Sequence, residues 1–164
     1  MRIFGLAGWS GSGKTTLLTA LIPEIVSRGV TVSTIKHAHH DFDIDQPGKD
    51  SWRHRQAGAR EVMVASGRRW ALMHELRGRP EPSLGELLAR LAPVDLVLVE
   101  GFKRHPHPKL EVYRACVGKP FLHPEDPHII AVASDEPLAL KLPCLPLAQP
   151  SGIAEYVLRH AEEG

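Results

Sequence analysis

The stretch Ile3-Phe4-Gly5-Leu6-Ala7-Gly8-Trp9-Ser10-Gly11-Ser12-Gly13-Lys14-Thr15-Thr16-Leu17-Leu18 decides the fold. Its apolar start reads as a strand, and Leu17, Leu18, Leu21 and Ile22 open a helix. Between them lies a complete Gly-x-x-x-x-Gly-Lys-Thr loop, which marks a phosphate site because glycines let the backbone curl with its N–H groups inward. Gly11, Ser12, Gly13, Lys14, Thr15 and Thr16 are therefore the candidate nucleotide-binding residues. Lys14 reaches the β and γ phosphates and is a candidate catalytic group, and the Thr15 hydroxyl is a candidate magnesium ligand.

Working outward, the first helix stops near Ser27-Arg28-Gly29, and the β-branched run Val30–Ile35 predicts a second strand, so the opening unit is β-α-β. A short helix is expected over residues 49–57. Glu61–Ala65 and Arg69–Met73 flank Ser66-Gly67-Arg68 as a hairpin, and Leu84, Leu87, Leu88 and Leu91 fit a helix. Asp95–Glu100 is the continuous apolar pattern of a parallel strand covered on both faces. His128–Ala133 predicts another, Cys144–Leu147 a short edge strand, and Ile153, Tyr156, Val157 and His160 a closing helix. The expected architecture is α/β: a P-loop NTPase fold with a mostly parallel central sheet, helices on both faces and an added β-hairpin. Residues 1–164 are expected to form a single nucleotide-binding domain.

Hydrolysis of a nucleotide requires a carboxylate near the phosphate loop to hold magnesium, and Glu100, closing the central strand, is the candidate. Asp95 begins the same strand, about 16 Å away at strand rise, and reads as a turn or cap residue. Lys36-His37-Ala38-His39-His40-Asp41-Phe42-Asp43-Ile44-Asp45 has the character of a switch loop, with Asp41 and Asp45 as candidate catalytic residues. A solvated polar loop is the plainer reading of its histidines. Lys103, Arg104 and Lys109, with Lys49, Arg53 and Arg55, form basic clusters suited to a second anionic ligand or simply to solvent. With no asparagine in the chain, an Asn-Lys-x-Asp guanine motif is impossible. Asp135 can instead accept from the N1 and N2 donors of guanine, or serve as a cap before Pro137.

Twenty basic and nineteen acidic side chains leave a net charge of +1, which gives no global electrostatic case for nucleic acid or a membrane surface. The chain enters its first strand without a signal segment, so a cytoplasmic location is expected. Cys116 and Cys144 fit neither a disulfide scaffold nor a metal motif and are expected to be buried, inert thiols.

The phosphate loop, the Lys36–Ser51 segment, Arg69-Trp70-Ala71-Leu72-Met73 and Val99-Glu100-Gly101-Phe102-Lys103 together resemble the molybdopterin-guanine dinucleotide biosynthesis adapter family, the MobB type. The resemblance runs from the first strand to about Pro137. It implies GTP and Mg2+ as ligands and weak intrinsic hydrolysis. It also implies a homodimer and work beside the molybdenum cofactor guanylyltransferase that joins GMP to molybdopterin. By position it assigns phosphate and magnesium contacts to Gly11, Gly13, Lys14 and Thr15, the second magnesium residue to Glu100, and the switch to Asp41 and Asp45. Lys103 and Arg104 carry charge suited to a pterin phosphate. Two other readings stay open: a GTP-dependent metallochaperone, suggested by ten histidines, and an ATP-dependent small-molecule ligase or kinase.

Overall fold

The computed structural model describes residues 1–38 and 42–164. These divide into two compact units, one of Met1–His37 with Leu84–Gly164 and one of Ala38–Ser83.

The larger unit is built on the strands β1 (Arg2–Ala7), β2 (Val32–Lys36), β5 (Leu96–Glu100), β6 (Lys109–Tyr113), β7 (Ile129–Ser134) and β8 (Cys144–Pro146), in the order β2-β5-β1-β6-β7-β8. All these pairings are parallel. A two-residue strand β9 (Glu162–Glu163) pairs antiparallel with the start of β1. Alternation along β1 explains the layers. Phe4 and Leu6 point to one face, where α1 (Lys14–Val26) supplies Leu17, Leu18, Leu21 and Ile25, and α4 (Pro150–His160) supplies Ile153, Ala154 and Val157. Ile3, with Val97 and Val99, points to the other, where α3 (Leu84–Leu88) buries Leu84 and Leu88. Helices thus cover both faces, as the sequence pattern predicts.

β6 is absent from the expectations, because its alternate residues are charged. Leu110 and Val112 enter the main core, while Lys109 and Glu111, equally buried, face a polar cover. Lys109 Nζ donates to His105 O at 2.8 Å and to Asp126 Oδ2 at 3.0 Å. Glu111 accepts from the backbone N–H groups of Leu122 and His123 at 2.7 and 3.0 Å. Each buried charge therefore ties down a loop, which is the condition for such burial. Gly5 opposes this cover; a Cβ there would collide with the His107 ring.

The Ala38–Ser83 unit contains α2 (Asp50–Gln56) and the antiparallel pair β3 (Glu61–Ala65) and β4 (Trp70–His74), joined by the expected turn with Ser66 N–H bonded to Arg69 O. Arg55 organises it. Its guanidinium reaches Asp43 at 2.7 Å, Glu75 at 2.8 Å and Asp45 at 3.2 Å. Val62 and Met73, opposite each other in the hairpin, are the buried apolar pair.

One further expectation needs correction: Cys116 is exposed and Cys144 half-buried, since Cys116 lies in a single 3-10 turn, Ala115–Val117, that has no covering layer. Among the described residues no helix is long and apolar enough to cross a membrane.

Candidate nucleotide site

β1 lies between β5 and β6, so the strand order diverges on either side of it and the carboxyl ends of all three strands open at one place. Such a switch point is where open α/β sheets bind ligands. The loop of residues 8–13 turns the chain there from β1 into α1, with Gly8, Gly11 and Gly13 at φ of 148°, 82° and 96°. Gly8 is doubly constrained, since a Cβ would lie 2.6 Å from Ser12 Oγ and 2.7 Å from Val112 O. Gly13 is the left-handed N-cap of α1, and among the described residues no side chain caps that helix end. Its first-turn N–H groups and dipole therefore serve the loop.

Lys14 bends back over this loop, its Nζ donating to Gly8 O at 2.9 Å and Trp9 O at 3.0 Å. Burial lowers its pKa; Glu100 opposes that shift, and Lys103 and Lys36 add to it. The strand pairing brings Glu100 to this place: β5 sets it opposite Leu6 of β1 and Lys36 of β2. The backbone just beyond is tightly turned. Gly101 has φ 100°, and a Cβ there would lie 2.5 Å from His37 Cβ, while Phe102, at φ 49°, packs its ring 4.9 Å from that of His37. Thr15 is exposed on the first turn of α1. A hydroxyl and a carboxylate are hard oxygen donors, so Thr15 and Glu100 fit a magnesium ion that keeps most of its water or phosphate ligands.

The family model described as "Molybdopterin guanine dinucleotide synthesis protein B", MobB, matches residues 3–135. The chain belongs to the MobB family. Two relatives named molybdopterin-guanine dinucleotide biosynthesis adapter proteins agree along nearly its whole length. The Escherichia coli K12 protein is 45% identical over 162 residues, covering 95% of this chain and 91% of its own. The Haemophilus influenzae protein is 43% identical, covering 94% and 86%. A crystal structure titled molybdopterin-guanine biosynthesis protein B superposes with a TM-score of 0.77 at 28% identity, over 96% of this chain and 98% of that one.

In this MobB chain the other candidate residues fall into three places. Asp135 follows β7 at the carboxyl edge of the sheet, its Oδ2 lying 3.6 Å from Arg114 Nε. Asp45 lies in the Ala38–Ser83 unit, where its Oδ1 accepts from Ser51 Oγ at 2.8 Å and from Gln46 N–H at 3.0 Å, and its Oδ2 faces Arg55. Asp41, with His39 and His40, lies outside the described residues. Asp95 takes the cap role read from the sequence: it accepts from the Thr31 hydroxyl at 2.6 Å and N–H at 2.8 Å, bonds that lower its pKa. Among the described residues no three His, Cys, Asp or Glu side chains form a metal-binding group.

Two features of the site escaped sequence reasoning. The indole of Trp9 donates to Pro120 O at 2.8 Å and carries the ammonium groups of Lys103 and Lys119 at 5.5 and 5.9 Å from its ring centre. Arg114 lies against Gly13. Neither Lys119 nor Arg114 has a motif to flag it; both are placed by β6, whose end the sequence pattern does not reveal.

Proposed function

We propose that this chain is an adapter in the conversion of molybdopterin to molybdopterin guanine dinucleotide, binding GTP and Mg2+ at residues 8–16 and working beside the guanylyltransferase of that reaction. The observation that carries the reading is the complete phosphate loop with Lys14 drawn across it and Glu100 at the adjoining strand end, in a chain of the MobB family. Gly11, Ser12, Gly13, Lys14, Thr15 and Thr16 hold the phosphates; Thr15 and Glu100 hold magnesium; Asp135 reads the base. Asp41 and Asp45 belong to the segment that responds to the nucleotide. Hydrolysis is weak, and its role is to release the partner. The protein acts in the cytoplasm as a homodimer, with Lys103 and Arg104 offering charge to the pterin phosphate.

The base is the point most open to refutation. Calorimetric titration with GTP and ATP, each with magnesium, is expected to show GTP binding at least tenfold tighter, about 1.4 kcal/mol, and lost in Lys14→Ala. A preference for ATP would make the ligase or kinase reading the leading one and remove the role given to Asp135.

A further inference from the structure

Arg114 is the first residue beyond β6. β6 runs parallel to β1 with Glu111 opposite Ala7, so Arg114 emerges at the same edge as the phosphate loop. Its guanidinium lies over the residue that caps α1. A Cβ at Gly13 would stand 3.4 Å from Nε, 3.4 Å from Nη2 and 3.5 Å from Cζ, so the guanidinium lies at contact distance beside that residue.

By itself this is an unfavourable place for a cation. The N-terminus of a helix carries partial positive charge, and arginine is stabilised at the opposite end. Nε is also shielded from solvent and, among the described residues, makes no hydrogen bond; Asp135 Oδ2, at 3.6 Å, lies beyond bonding distance. A donor withdrawn from water without an acceptor is destabilising. An anion seated between the α1 N-terminus and the guanidinium reverses the sign of the first effect. Phosphate oxygens also suit the guanidinium edge, whose planar donors match them in pairs.

We propose that Arg114 is a ligand of the nucleotide's diphosphate and that, through its Nε edge, it positions Asp135 for the base. This rests on the nucleotide reading above and extends it by one residue with two tasks. The Nη groups neutralise charge gathered at Gly13–Lys14. The Nε edge, closing its 3.6 Å gap to Asp135 Oδ2 into a hydrogen bond, fixes the carboxylate that accepts from guanine N1–H and N2–H. Xanthine carries a carbonyl where guanine carries the 2-amino group, so a fixed carboxylate rejects it.

The two tasks separate in two variants. Arg114→Met removes both charge and fork, and Arg114→Lys keeps the charge without the edge that meets Asp135. Dissociation constants for GDP, GTP and XTP with magnesium are measured by calorimetry on the full chain, with thermal unfolding as a check on folding. Arg114→Met is expected to weaken GDP and GTP alike by tenfold or more. Arg114→Lys is expected to recover most of the GDP affinity while losing preference for GTP over XTP, a result that loss of fold does not produce. Wild-type affinity for GDP and GTP in Arg114→Met overturns the diphosphate contact. An unchanged GTP-over-XTP preference in Arg114→Lys overturns the positioning of Asp135. A wild-type protein that binds none of the three overturns the nucleotide reading itself, a result distinct from either.

Discussion

In the sheet unit Phe4, Leu6, Leu21, Ile25, Leu96 and Leu98 are all withdrawn from solvent, whereas in the Ala38–Ser83 unit Phe42, Ile44, Met63, Trp70 and Leu72 stand exposed. The two units place similar side chains oppositely. A strand covered on both faces converts each apolar residue into core, and the helices α1, α3 and α4 provide that cover. A lone two-stranded hairpin has two faces and can bury only one against its own unit. Val62 and Met73 take that face, and order in the rest comes from Arg55 and its three carboxylates. One unit is held by area removed from water; the other is held by charge and presents its apolar area outward. Exposed apolar residues concentrated in one unit are the feature to test for contact with another chain.

The comparison breaks most readily at Leu21. Leu21→Ala leaves a cavity between α1 and the sheet, at an expected cost of about 2–5 kcal/mol, read from the urea midpoint of the full chain. A loss under about 1 kcal/mol would mean that the α1 face collapses to fill the space and that burial there is not what secures the sheet.

A second test uses acid. His107 is 2% exposed, and burial, reinforced by the Lys109 ammonium, pushes its pKa from 6.5 down to about 4. The unfolded chain therefore binds the proton more readily. The contribution of His107 is complete above about pH 6.5 and falls as pH drops toward 4, by about 3 kcal/mol. Asp43, lowered by its bonds from Arg55, has the same sign in a lower window, and its contribution is lost only as pH falls below its ordinary 3.8. The sheet unit thus loses stability to acid first. Unfolding free energies at pH 7, 5.5 and 4.5 are expected to fall in the wild type and to fall less in His107→Gln. Equal slopes would remove His107 from the account.

These contrasts also show what the sequence could disclose. β1, α1, β2, β5, β7 and α4 were legible because each carries an apolar rhythm, and Gly8–Thr15 because the loop requires its residue types in order. β6 was not, since Lys109 and Glu111 break the pattern of a buried strand; their burial depends on Asp126 and on the backbone of Leu122 and His123, distant acceptors and donors that no local window contains. Losing β6 meant losing Arg114. The place of Glu100 is legible because it closes β5, which pairs it opposite Leu6 just before the phosphate loop. Asp45 is legible only as an acid of the residue 36–45 loop; its engagement with Arg55, shared with Asp43, arises from the return of α2, which spacing does not encode.

The smallest expected effect on the fold is at Trp70, and it is the most informative about the outward surface. Trp70 is 66% exposed and pairs with Ala65 at the end of the hairpin. Its indole is withdrawn from little water-free volume, so Trp70→Ser is expected to change unfolding free energy by no more than about 0.5 kcal/mol, measured at a concentration low enough to keep the wild type monomeric. The same substitution removes the largest apolar side chain from the outward face. If that face joins two copies of the chain, sedimentation at high concentration shows the variant shifted toward monomer while the wild type stays dimeric. The two readouts must diverge for the contrast between the units to hold. A variant that is destabilised as much as Leu21→Ala would place Trp70 in a core, and one that associates like the wild type would mean that this face joins no copies of the chain.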